Sequence, residues 1–489
     1  MGYHVRTVTY FRLLGVGLGV VLCALTAAMA GAQTSQGGQE TEQPPQQAGD
    51  AAAQHVPKPE AFAAYAEGQA AYKRKDMANA ARAFESAVKL DAEFGIAWVS
   101  LGRTRMALRQ PEQAEAAFRR FLELVPDNAY ALADLGWALV AEKKYVEAIE
   151  VMRKQLAINP DAGDVYQRIG DAYMQMRQPE RAIPELQKAV SLLPENWGPY
   201  YQLAQAYMRT EEYDKAAAAY ERAFALNDVI GRMNDAAYAF AERRIHLDLA
   251  EKWATHVVKD VELELSEVKM PLDALSMQRA SALAGFWDTL GFVKLQEGDY
   301  EAAEKFVSAG AQFVPDSAGS KHLGEIYEAQ GRRGDAEEAY AEALALVPAG
   351  RELLYDEKMA RQKLARQLGD EQLIEDRVRQ ARVSMEARRS VPILNPSLAV
   401  GLVQYVVIIG PGSKVLDMQA MTADDPLSAL REIVKGATVP QAFPDETTQR
   451  LPRTATLSCP RVDLPCQLTL MPTAWGVRAQ SLIAAPGEN

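Results

Sequence analysis

Trp98-Val99-Ser100-Leu101-Gly102, followed by Ala114, Phe118 and Pro126, decides the reading of this chain, because its residues recur at an interval of 34. Gly68, Gly102, Gly136, Gly170 and Ala204 form one series, and Ala80, Ala114, Ala148, Ala182, Ala216 and Ala250 a second. A third carries large side chains, Phe84, Phe118, Met152, Leu186 and Tyr220. A fourth is apolar, Leu90, Leu124, Ile158, Leu192 and Leu226, while Pro126, Pro160 and Pro194 close successive units. Six units keep this register from about 61 to 264. Each reads as two antiparallel helices: a small residue on the first faces the small and large residues of the second, so the backbones come close and the large side chain fills the space beside them. Proline stops the second helix, and Asp127-Asn128 can cap the next. One helical pair cannot bury its own apolar face, so the units are expected to stack.

These residues resemble the tetratricopeptide repeat. The resemblance implies a mainly α fold, a right-handed α-solenoid of helix pairs, here followed by a small α+β C-terminal domain. The sixth unit departs from the pattern, with Tyr238 where glycine is expected, which predicts splayed helices. An insertion at 265–283 then shifts the register, and two further units follow over 284–349, carried by Trp287, Leu290, Gly291, Ala303 and Pro315, then Gly324, Tyr327, Ala336, Tyr340 and Pro348. Residues 350–392 read as capping helices, and the run Arg377, Arg379, Arg382, Arg388 and Arg389, interspersed with Glu375, Asp376 and Glu386, as their solvated face.

From 393 to 489 the period changes. Leu398–Ile409 and Lys414–Met421 flank the turn Gly410-Pro411-Gly412-Ser413 and predict a hairpin. Leu427–Val434 reads as a helix capped by Asp424 or Asp425, and Thr454–Ser458 and Gln467–Met471 as two more strands. Cys459 and Cys466 sit at the facing ends of those strands. In an oxidising compartment they would pair; two free thiols are the alternative.

The N-terminus carries Arg6 and Arg12, an apolar run Leu13–Leu25 and the small-residue patterns Ala28-Met29-Ala30 and Ala30-Gly31-Ala32. Residues 1–32 therefore read as a signal peptide, with an uncleaved membrane anchor as the alternative, and Leu22 before Cys23 speaks against a lipoprotein. Residues 33–57, rich in Gln and without an aromatic, read as a disordered linker ahead of units one to six at 58–264. The expected compartment is the periplasm.

The 489 residues carry a net charge of −12, and removal of the first 32 takes two arginines and leaves −14, which argues against nucleic acid as the main partner. Of five histidines, none lies in the C-terminal segment, which excludes a Ser-His or Cys-His pair within it. Gly410-Pro411-Gly412-Ser413-Lys414 has the wrong spacing for a phosphate loop and a strand after it. No metal, cofactor or catalytic set is therefore expected, and the chain is read as a non-enzymatic scaffold.

What remains is binding. In the family the first helix of each unit lines a concave groove, and the phase of the repeat carries that role to Tyr65, Gln69, Tyr72, Arg103, Met106, Tyr130, Trp137, Gln167, Asp171, Met174, Tyr201 and Met208. Their aromatic and Met content suits a protein or peptide partner with apolar side chains; the alternative is that several are core residues. The implied relatives are periplasmic assembly and secretion factors. An anchored inner-membrane adaptor, or a glycan-binding accessory using Trp475, is the other reading.

Overall fold

The computed structural model describes residues 55–348, 350–396, 398–444, 449–461 and 464–471. The signal segment 1–32, the linker up to residue 54 and Trp475 lie outside the described residues. Among the described residues no helix is long and apolar enough to cross a membrane. They divide after Asp228 into two compact units.

Among its described residues the first unit holds five helical pairs: α1 (Pro59–Lys73) with α2 (Met77–Leu90), α3 (Gly95–Ala107) with α4 (Pro111–Leu124), α5 (Ala129–Ala141) with α6 (Tyr145–Ile158), α7 (Gly163–Gln175) with α8 (Pro179–Leu192), and α9 (Trp197–Arg209) with α10 (Tyr213–Leu226). Proline opens α1, α4 and α8, where its missing N–H costs nothing. Asp76 and Asn128 cap α2 and α5 by accepting from the Asn79 and Ala131 backbone N–H groups at 3.2 and 2.9 Å. The small and large series meet as their spacing requires. A Cβ built on Gly68 would stand 2.6 Å from the Phe84 ring, and one on Gly170 2.6 Å from Leu186 Cγ, so only glycine lets these helices approach. Phe84, Phe118, Met152 and Leu186 are buried in consequence.

Each pair is joined by the same turn. Lys75, Arg109, Lys143, Arg177 and Glu211 occupy the left-handed region, with φ between 57° and 62°. In the first pair the Lys75 N–H donates to the Tyr72 carbonyl at 2.9 Å and the Asp76 N–H to the Ala71 carbonyl at 3.0 Å, and the same double closure recurs at Arg109, Lys143 and Arg177. This satisfies the last carbonyls of the first helix and turns the chain into the second.

The second unit begins with α11 (Ile230–Arg243), α12 (Leu247–Ser266), α13 (Ala274–Glu297), α14 (Tyr300–Phe313), α15 (Ser317–Ala329) and α16 (Arg333–Ala345). The expected splaying of the sixth pair is not found: Phe240 meets Trp253 at 5.4 Å, with Ala237, Ala250 and Ala254 buried between the helices. Ala254 stands where other pairs carry the large residue, and Tyr238 stacks on Phe292 at 5.1 Å. A large residue moved to the first helix is thus balanced by a small one on the second. The 265–283 stretch lengthens two helices, the end of α12 and the start of α13. Next come α17 (Tyr355–Leu368) and α18 (Glu371–Ala387), whose Ala360, Leu364, Ile374 and Ala381 close over Tyr340 and Leu344. The arginines of this region are engaged: Arg388 pairs with Glu342, Arg379 with Asp376 at 3.4 Å, and Arg382 donates to the Ala345 carbonyl at 3.3 Å.

The C-terminal sheet has strands β1 (Ser390–Ile393), β2 (Gly401–Gly410), β3 (Lys414–Ala420), β4 (Leu451–Cys459) and β5 (Cys466–Leu470), in the order β1-β5-β4-β2-β3 with antiparallel neighbours. β1 corrects the sequence reading, which left this stretch to the helical cap. It is a short edge strand, where Pro392 needs a partner on one side only. The expected helix shrinks to a 3₁₀ turn, Ser428–Leu430, and α19 (Arg431–Val434), because Asp425 closes the turn before it: it accepts from the Leu427 N–H at 3.1 Å, the Tyr405 hydroxyl at 2.5 Å and Arg431 Nε at 2.7 Å. Val403, Tyr405, Val407, Leu427, Leu430, Leu457 and Leu468 form the core. Cys459 and Cys466, both buried within it, are joined as a disulfide.

Candidate protein-binding groove

The first helix of each pair in the first unit carries the residues assigned to the groove, and the structure sorts them into two sets. Tyr65, Met174, Tyr201 and Met208 are buried and belong to the packing. Tyr65 lies against Phe84 and Phe94, with ring centroids 5.5 and 5.1 Å away, and Tyr201 meets Tyr220 edge-on at 5.4 Å. These four are corrections to the sequence reading: each faces the neighbouring helices, where a large apolar side chain is held by its own core.

The others reach the surface. Tyr130 is 61% exposed and Trp137 49%, which for large aromatic side chains is far from the packed state. They lie seven residues apart on α5, hence two turns along one helical face. Phe62 and Tyr72 on α1 are 57% and 44% exposed. Gln69 is exposed and donates through Nε2 to the Tyr65 hydroxyl at 2.9 Å, while Met106, Gln167 and Asp171 are half-buried.

Asp134 lies between the two aromatics on α5, and sequence reasoning missed it. Arg103 Nε of α3 donates to its Oδ2 at 2.7 Å. Burial holds the Asp134 carboxyl above the ordinary carboxylate range, and the charges of Arg103 and then Arg168 partly offset this. Ser100, Asp134, Arg168 and Gln202 share one register position, so the 34-residue phase was the signal that could have found this row. The site is therefore an aromatic face around a half-buried ion pair, able to bury apolar side chains and to fix polar ones. No group in it is disposed as a nucleophile with its base.

In the second unit His322, fully buried, places Nδ1 2.9 Å from Asp288 Oδ1 and stacks on Phe292 at 4.4 Å, and Lys321 pairs with Asp356 at 3.0 Å. This network ties α13, α15 and α17 together. Among the described residues no three His, Cys, Asp or Glu side chains are grouped to hold a metal ion.

Three family models, each described as a tetratricopeptide repeat, match the chain: one at residues 65–105 and 99–163, one at 139–188 and 174–228, and one at 321–354. These segments are tetratricopeptide repeats. The chain accordingly carries tetratricopeptide repeats in both compact units. No curated protein matches it. Among solved structures, MamA from Desulfovibrio magneticus RS-1 is 23% identical over 35% of this chain and 97% of its own, with a TM-score of 0.34. PilF of Pseudomonas aeruginosa is 18% identical over 41% of this chain and 90% of its own, at 0.35. YrrB, described as a tetratricopeptide-repeat protein with an unusual peptide-binding site, is 22% identical over 37% and 92%, at 0.32.

Proposed function

We propose that the first unit is a protein-binding scaffold that holds an extended segment of a partner across the first helices of its repeats, in an exported protein serving envelope assembly or secretion. The observation that carries the reading is the exposed pair Tyr130 and Trp137 on one face of α5, beside the Arg103–Asp134 pair. Aromatic side chains left in water gain most when a partner covers them, and an ion pair at their centre supplies register. The role is non-catalytic. Export is supported by the N-terminal sequence and by a disulfide, which persists in oxidising compartments.

The test is affinity capture from envelope extracts with the wild type and with Tyr130→Glu/Trp137→Glu, both checked for equal helical content. A specific partner retained by the wild type and lost from the double variant is the expected result. Equal capture by both would remove the groove from the mechanism and direct attention to the C-terminal sheet.

A further inference from the structure

The turns inside the repeats carry a second feature, away from the first-helix face. Lys75, Arg109, Lys143 and Arg177 occupy one register position in four consecutive pairs, so stacking places them in a row along one edge of the first unit. All four are exposed. None makes a side-chain hydrogen bond or ion pair with any described residue, although the structure is rich in such pairs elsewhere. The acids beside Lys75 and Lys143 are engaged, Asp76 accepting from Asn79 and Glu142 lying 2.8 Å from Lys144 Nζ, while Glu112 and Glu180 follow Arg109 and Arg177 by three residues. The fifth pair ends the row with Glu211.

The backbone makes the choice of residue informative. With φ from 57° to 62° these positions sit where an L side chain is disfavoured and glycine is not. The seventh and eighth repeats use glycine there, Gly298 and Gly331, in turns closed by the same two hydrogen bonds. In the first two pairs Lys73 and Arg105 already supply a cation to the last turn of the first helix, so Lys75 and Arg109 are not needed there for the attraction of a cation to a helix C-terminus; the last turns of α5 and α7 hold no basic residue, and Lys143 and Arg177 serve that end as well. Four cations are kept at a conformational cost, at equal intervals and unpaired.

We propose that this ridge is a second docking surface, and that its occupant is an extended, acidic segment of a protein. Neighbouring rows lie on the order of 10 Å apart, a helix-packing distance, and an extended chain advances about 3.3 Å per residue. A carboxylate at every third position therefore meets each row. Successive repeats rotate relative to one another, which an extended chain can follow and a flat anionic bilayer cannot. The overall charge of −12 argues against nucleic acid.

The test compares the full chain with Lys75→Gly/Arg109→Gly/Lys143→Gly/Arg177→Gly. Glycine removes the charges and relaxes the backbone, so the variant is expected to melt no lower than the wild type. The probe is a fluorescein-labelled (Glu-Ser-Ser)4 peptide at low salt, with (Gln-Ser-Ser)4, phosphatidylglycerol vesicles and a single-stranded oligonucleotide alongside. The proposal expects the acidic peptide to bind the wild type at least tenfold more tightly than the variant, with a salt dependence that the variant loses, and the Gln peptide not to bind. Equal affinity for both proteins, or tighter binding of vesicles or oligonucleotide than of the acidic peptide, would overturn it.

Discussion

Asp134 shows how a single side chain joins folding to the groove. Its carboxyl is held above its ordinary value by burial, so the unfolded chain gives up the proton at lower pH than the folded chain does. Folded protein then binds more protons over that interval, and the contribution of Asp134 to stability falls as pH rises from about 4 through the raised value. Asp134→Asn is expected to raise stability at pH 7.5, by about 1 kcal/mol or less since Arg103 remains half open to water, and to lose the advantage near pH 4. Thermal melts of both proteins across pH 4 to 8 check this; a variant less stable at pH 7.5 would mean that the ion pair outweighs the burial. Sequence alone places Asp134 on a helix, but its depth and its partner from the preceding repeat come from packing.

At the scale of the element, the repeat period carried nearly all the information. A small residue facing a large one is a local rule, and two glycines separate its two aspects. Gly102 lies against the Phe118 ring, so Gly102→Ala is expected to cost about 1–3 kcal/mol by overpacking. Gly285, exposed within α13 and with nothing near its missing Cβ, is expected to give about 0.5–1 kcal/mol of stabilisation as alanine. Chemical denaturation of the two variants measures both, and equal effects would refute the packing assignment. The strands were less legible. β1 follows Arg388 and Arg389 and contains a proline, so its sequence reads as the end of a helix and its pairing with β5 gives no local signal. The helix expected at Leu427–Val434 was shortened by the contacts of Asp425 with Tyr405, a residue 20 positions away.

For the whole molecule, the order of a signal-like N-terminus, repeats and a disulfide-closed sheet predicts where the protein is found. Intact-mass and thiol measurements on the protein from its native source should give an N-terminus near residue 33 and no free thiol at Cys459 or Cys466. Retention of Leu13–Leu25 would select the anchored form, and two free thiols would refute the exported state. The bridge closes a ring of about eight residues, which the chain-entropy relation values at about 2.5 kcal/mol. The sequence by itself determined the helix pairs and their register, because these depend on spacing along the chain. Only the tertiary structure decided that Phe62 faces water while Tyr65, three residues on, is held between Phe84 and Phe94, and that four cations share one strained turn position. Exposure and backbone strain are set by which neighbour a helix meets, and spacing does not encode that.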